Sequence, residues 1–136
     1  MMHIAGLYAA LGALLIFALA LRVMRLRHRH RVGLGTGGDE SLACAIRAHA
    51  NSIEYLPIAL LLLLILELDQ TRAWLLHVFG IVLIVGRILH AAGLSGNAGT
   101  SFGRFAGTAL TMLVIFVMAL LLLWQFAVLP GMFQEP

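Results

Sequence analysis

Charged side chains are scarce in this chain. They make up 11% of 136 residues, against 62% hydrophobic, and the mean hydropathy is +1.01. That balance excludes an ordinary water-soluble domain and describes an integral membrane protein. Lysine is missing altogether, since all nine basic residues are arginine. A pI near 10 would point to nucleic acid in a soluble protein. Here five of the arginines fall between Arg22 and Arg31, which is a topogenic cluster at the end of an apolar run, so no nucleic-acid partner is expected. Cys44 is the only cysteine, which excludes an internal disulfide and leaves the redox compartment unread; beside a span it reads as a small apolar filler. A cleavable leader carries its positive charge before its apolar run. In MMHIAGLYAALGALLIFALALRVMR the arginines come after it, so the first segment is expected to stay as an anchor.

What is present is length in apolar runs. Residues 4–24, 41–66, 73–94 and 102–129 can each cross a hydrocarbon core of about 30 Å at about 1.5 Å per residue. Barrel strands would be about ten residues long with alternating polarity, so the spans are helices of one all-α domain covering residues 1–136. The positive-inside rule places the arginine-rich first connection in the cytoplasm. Both termini and the short ELDQTR turn then lie on the far side, and SGNAGTSFGR is internal. The first connection also contains GxGxxG, Gly33 to Gly38, but no strand precedes it and no βαβ unit fits. It reads as a loop ending in Asp39, Glu40 and Ser41, which suit a helix N-terminus. His28 and His30 sit among arginines that disfavour a bound cation, and no metal site is expected. Trp74 and Trp124 suit the far membrane interface, as does His77, and Gly103 and Gly107 form a GxxxG suited to close helix packing.

Counting from the far ends of the helices places the polar residues at one depth. Glu54 and Arg47 lie about 18 and 29 Å below Leu66, and Arg87 and His90 about 21 and 25 Å below Ala73. Arg104 enters the same level at the head of the fourth helix. Arg47, Asn51 and Glu54 are spaced i, i+4, i+7 and Arg87 and His90 i, i+3, so each set forms a stripe. Tyr55 follows Glu54 directly, His49 falls on another side, and Pro57 is expected to bend the second helix one turn on. Ionisable groups at this depth cost about 2.5 to 3.5 kcal/mol each, so they need partners. Two readings follow. Glu54 pairs with Arg47 or Arg87 and locks the bundle, or the layer binds a small ion with several charges. For the second, arginines suit carboxylates, Glu54 suits an ammonium group, and Asn51 and Tyr55 supply hydrogen bonds; a zwitterionic peptide would match. A channel lacks support, because LLLLLILEL offers no continuous polar stripe.

Arg47-x3-Asn51-x2-Glu54-Tyr55-x-Pro57, then Gly86-Arg87-x2-His90, then Arg104 resembles the membrane-associated proteins in eicosanoid and glutathione metabolism, the MAPEG family, over essentially the whole chain. The resemblance extends to its small bacterial members and microsomal glutathione transferases. It implies a four-helix bundle assembled as a homotrimer in the bacterial inner membrane, with glutathione bound between subunits near the cytoplasmic face. The positions matching Arg47, Asn51, Glu54 and Tyr55 would hold the glutathione backbone, those matching Arg87 and His90 would lie in or beside the pocket, and Arg104 would sit near the sulfur as the catalytic cation. The implied activity is a glutathione-dependent transferase or peroxidase, with a lipophilic second substrate entering from the membrane lipids. Arg22 or Arg25 could reach a ligand carboxylate or a lipid phosphate. Ala50 stands where some members carry an arginine, and Leu94 where some carry an aromatic hydroxyl. Those departures keep open a non-catalytic glutathione-binding or scaffold protein of the same fold.

Overall fold

A computed structural model describes residues 3–94 and 101–128. Four helices follow in order: α1 (Ile4–His30), α2 (Glu40–Leu68), α3 (Ala73–Gly93) and α4 (Phe102–Val128). Each is long and apolar enough to cross a membrane. The outermost residues of the two termini and the 95–100 part of the SGNAGTSFGR connection lie outside the described residues, and so does the last residue of the expected fourth span.

The first helix does not stop near Met24 but runs on through the arginine cluster to His30. Nothing between Arg22 and Arg31 breaks a helix, and cations in a last turn complement the negative end of the helix dipole. Arg31 closes it with φ 54°, and the Val32 amide bonds the Arg27 carbonyl at 3.0 Å, a left-handed cap. The Arg27 guanidinium then donates to the carbonyls of Val32, Gly33 and Gly35 at 3.4, 3.3 and 3.1 Å. Gly35, Gly37 and Gly38 all take positive φ, so this glycine-rich stretch serves a tight return of the chain. Asp39 caps α2, accepting from the Leu42 amide at 2.7 Å and the Ser41 hydroxyl at 2.6 Å. Pro57 lies within α2, which continues through it to Leu68.

The helices run up and down. α1 packs on α2, α3 on α4, and α2 touches both α3 and α4, while α1 and α4 make no contact among the described residues. Outward faces carry apolar side chains such as Leu14, Phe17, Phe116 and Leu123, as a lipid-facing surface requires. The main core, around Tyr8, Leu63, Leu83 and Met118, fills the half of the bundle away from the arginine cluster. A smaller one, of Leu19, Ala48, Ala91 and Leu94, lies toward the cluster. Three polar ties fasten the far end. Glu67 accepts from the Ile4 and Ala5 amides at 2.6 and 2.8 Å, the Tyr8 hydroxyl meets His77 Nδ1 at 3.0 Å, and Gln125 donates to Thr71 at 2.9 Å. His77 is thus engaged inside the bundle, whereas Trp74 and Trp124 are exposed.

Candidate functional site

The site begins with missing side chains. Gly86 and Gly93 on α3 face Gly103 and Gly107 on α4. A methyl on Gly107 would stand 2.5 Å from the Gly86 carbonyl oxygen and the His90 amide nitrogen, and one on Gly103 would stand 3.0 Å from the Leu89 carbonyl. The two backbones therefore touch, and short α4 side chains can reach polar groups on α3.

Arg87 uses this proximity. Its side chain is fully buried, with 0% exposure. Nε donates to Thr111 Oγ1 at 3.0 Å, one terminal nitrogen donates to Asn51 Oδ1 at 2.5 Å and more weakly to the Asn51 carbonyl, and the other reaches the Gly107 carbonyl at 3.4 Å. The Thr111 hydroxyl in turn donates to the Gly107 carbonyl at 2.8 Å. The guanidinium carbon lies 5.4 Å from the centre of the half-buried Tyr55 ring, a cation–π contact. Every one of these acceptors is neutral.

His90, 8% exposed, sits one turn further along α3. Its Nδ1 lies 2.9 Å from Thr108 Oγ1 and 3.3 Å from the Arg104 carbonyl. The charges of Arg87, Arg104 and Arg47 all act on this imidazole. Arg104 is half-buried at the head of α4, where its amide is capped by Ser101 Oγ at 3.3 Å.

Arg47 and Glu54 are exposed on the outer side of α2. Among the described residues, Glu54 has no hydrogen bond or ion pair and so does not lock the bundle through Arg47 or Arg87. Asn51 lies about 40 to 60° around the helix from both, which turns it half inward to meet Arg87. The structure thus brings Asn51, Tyr55 and Arg87 into contact, and places His90 beside Arg104. Arg47 and Glu54 form an outward strip bordering them.

The profile of the MAPEG family matches residues 5–124 of this chain. The chain belongs to the MAPEG family. It is also 39% identical, over 121 residues, to the inner membrane protein YecN of Escherichia coli strain K12, an alignment covering 89% of this chain and 91% of that protein. The YecN protein of the O6:H1 strain matches to the same extent. This MAPEG protein is accordingly a multi-pass membrane protein with the four-helix architecture described above.

Two threonines of this MAPEG chain escaped the reading of its sequence. Thr108 and Thr111 lie four and seven residues after Arg104, on the face that meets α3, and that spacing was the available signal. Leu94 is 4% exposed and belongs to the small core with Leu19 and Ala48. Ala50 and His49 are half-buried, Cys44 is buried, and Arg25 is exposed on the helical extension of α1. His30 lies 3.5 Å from Asp39.

Proposed function

We propose that the protein is a membrane-embedded glutathione transferase or peroxidase. The observation that carries this reading is Glu54, a carboxylate on the outer face of a transmembrane helix with no partner among the described residues. A charge at that depth costs about 2.5 to 3.5 kcal/mol unless something covers it. A glutathione ammonium, held between this helix and a neighbouring subunit of a homotrimer, supplies the cover and the countercharge. Arg47, about two turns away along the same strip, suits a glutathione carboxylate, and Tyr55 borders the same place. The site faces the cytoplasmic side, where the arginine-rich end of α1 also lies, and both termini face away from it.

In this reading Arg104 stabilises the thiolate. A free thiol with pKa about 8.5 is mostly protonated at neutral pH, and a fixed cation nearby lowers that value. The thiolate sulfur forms a bond to an electrophilic carbon, displacing a leaving group. Alternatively it attacks a lipid hydroperoxide, whose O–O bond breaks to give an alcohol and a glutathione sulfenic acid; a second glutathione then yields the disulfide and water. A lipophilic second substrate would reach the site sideways from the bilayer.

The ultraviolet difference spectrum on adding glutathione to detergent-purified protein tests this. A thiolate band in the wild type that vanishes in Arg104→Ala is the expected result. A second reading is favoured by one observation, the packed Leu94 side chain where some relatives carry an aromatic hydroxyl. It is a glutathione-binding protein without this chemistry, for which calorimetry would show saturable binding and the spectrum no thiolate.

A further inference from the structure

Arg87 cannot serve a ligand in the way an exposed arginine does. A guanidinium has five N–H donors and no acceptor. In this chain it is wholly buried, and its three nitrogens are already directed at Thr111, Asn51 and Gly107. What it can do is decide which way a neighbour points. The Asn51 side chain ends in an oxygen that accepts and a nitrogen that donates, and only the oxygen can face a guanidinium. The short contact to Oδ1 therefore turns Nδ2 the other way. That nitrogen has no hydrogen-bond partner among the described residues and belongs to a half-buried residue bordering the Arg47 and Glu54 strip.

We infer that Arg87 is a positioning residue: anchored by Thr111 and Gly107, it holds Asn51 Oδ1 inward so that Asn51 presents a donor to the ligand. This rests on the glutathione reading and sharpens it. The ligand atom above Asn51 is an acceptor, a carboxylate or amide oxygen, while the atom above Glu54, one turn on, is a cationic donor. The strip thus selects a peptide-like zwitterion by its polarity along α2. A ligand of the same size with these two groups exchanged would meet donor with donor and carboxylate with carboxylate.

The test sets stability against binding in the purified full-length protein. Asn51→Asp keeps an oxygen for Arg87 and adds a countercharge, but turns the outward donor into an anion. Asn51→Leu removes both functions. Asn51→Asp is expected to melt at or above the wild type yet bind glutathione about tenfold or more weakly by calorimetry, whereas Asn51→Leu both melts lower and binds weakly. Loss of a purely structural contact cannot move the two readouts of Asn51→Asp in opposite directions. The inference is overturned if Asn51→Asp melts as low as Asn51→Leu, or if it binds glutathione as the wild type does. Should Asn51→Leu fail to fold, Thr111→Val, which frees Nε of Arg87 with little change of shape, is expected to weaken glutathione binding several-fold; unchanged binding would count against Arg87 as the orienting group. Should the wild type not bind glutathione at all, the proposed ligand is wrong, and the melting order of the Asn51 variants still decides which end of the amide Arg87 holds.

Discussion

Arg87 holds a charge inside a membrane bundle without a carboxylate to balance it. Neutral oxygens on two other helices and an aromatic face do that work, and they succeed because a guanidinium is flat, forked and weakly hydrated compared with an ammonium. Lysine cannot span Thr111, Asn51 and Gly107 at once, so Arg87→Lys is expected to cost about 1 to 3 kcal/mol in unfolding free energy, read from denaturation in detergent. The glycines beneath it are equally strict. Gly107→Ala must push α3 and α4 apart, since the new methyl would meet backbone atoms that cannot rotate away, and a loss of about 1 to 3 kcal/mol is expected. Gly6→Ala is the control. Its methyl would touch only the His3 side chain at 3.4 Å, so helix propensity should make it neutral or stabilising by up to about 1 kcal/mol. At this scale the sequence showed which polar residues share a depth, because spacing along a helix is arithmetic. It did not show that Arg87 turns toward Thr111 rather than toward Glu54, because helix rotation is set by the Gly86 and Gly107 contact between chain segments some twenty residues apart.

Helix ends separate what is local from what is not. Asp39 caps α2 within three residues of its own position, and that cap is readable from Asp39, Glu40 and Ser41 alone. Hydrogen bonds from Ser41 and Leu42, with the nearby His30, hold its carboxyl below the ordinary value of 3.8. A carboxyl lowered in the folded state contributes stability above its unfolded value and loses it as the pH falls through the folded one. The melting temperature of the wild type should therefore decline as the pH is taken below about 4, and Asp39→Asn, which caps without titrating, should decline less. The start of α1 is different. His3 supplies no side-chain cap, and Glu67, 63 residues away, takes the Ile4 and Ala5 amides. No local pattern announces such a tie. Glu67→Ala should lower stability by about 1 to 2 kcal/mol, and Glu67→Gln by less, since an amide oxygen still accepts although it lacks the charge that favours a helix N-terminus. The continuation of α1 to His30 has the same lesson in reverse. Composition marks the arginines as extramembrane, but composition is silent on whether such a segment is coil or helix, and arginine is a good helix former.

On the scale of the whole molecule the two ends of the bundle differ in kind. One end carries Arg25, Arg29 and Arg31 around the tip of α1, together with Arg47 and Arg104 at the heads of α2 and α4. The other is closed by neutral hydrogen bonds and the Glu67 cap, with Trp74 and Trp124 on its surface. Four spans and their order were legible because each apolar run is long and each break is polar; family membership followed from motifs kept in register across three helices. The proposed orientation follows from charge: the positive-inside rule predicts that the arginine-rich α1–α2 connection stays in the cytoplasm and that the Asp69 to Thr71 turn lies outside. Cys44 is 6% exposed and is expected to react little with a membrane-impermeant maleimide, so single reporter cysteines can be added to the native chain. Gly35→Cys would be strained by its positive φ, so Leu34→Cys, at the most exposed apolar side chain of that connection, is the better inner reporter, and Asp69→Cys the outer one. In intact cells Asp69→Cys should react and Leu34→Cys should react only after the membrane is opened. The opposite pattern would put the polar layer of Asn51, Arg87 and Arg104 at the outer face, away from the cytoplasmic pool of glutathione on which the proposed chemistry depends.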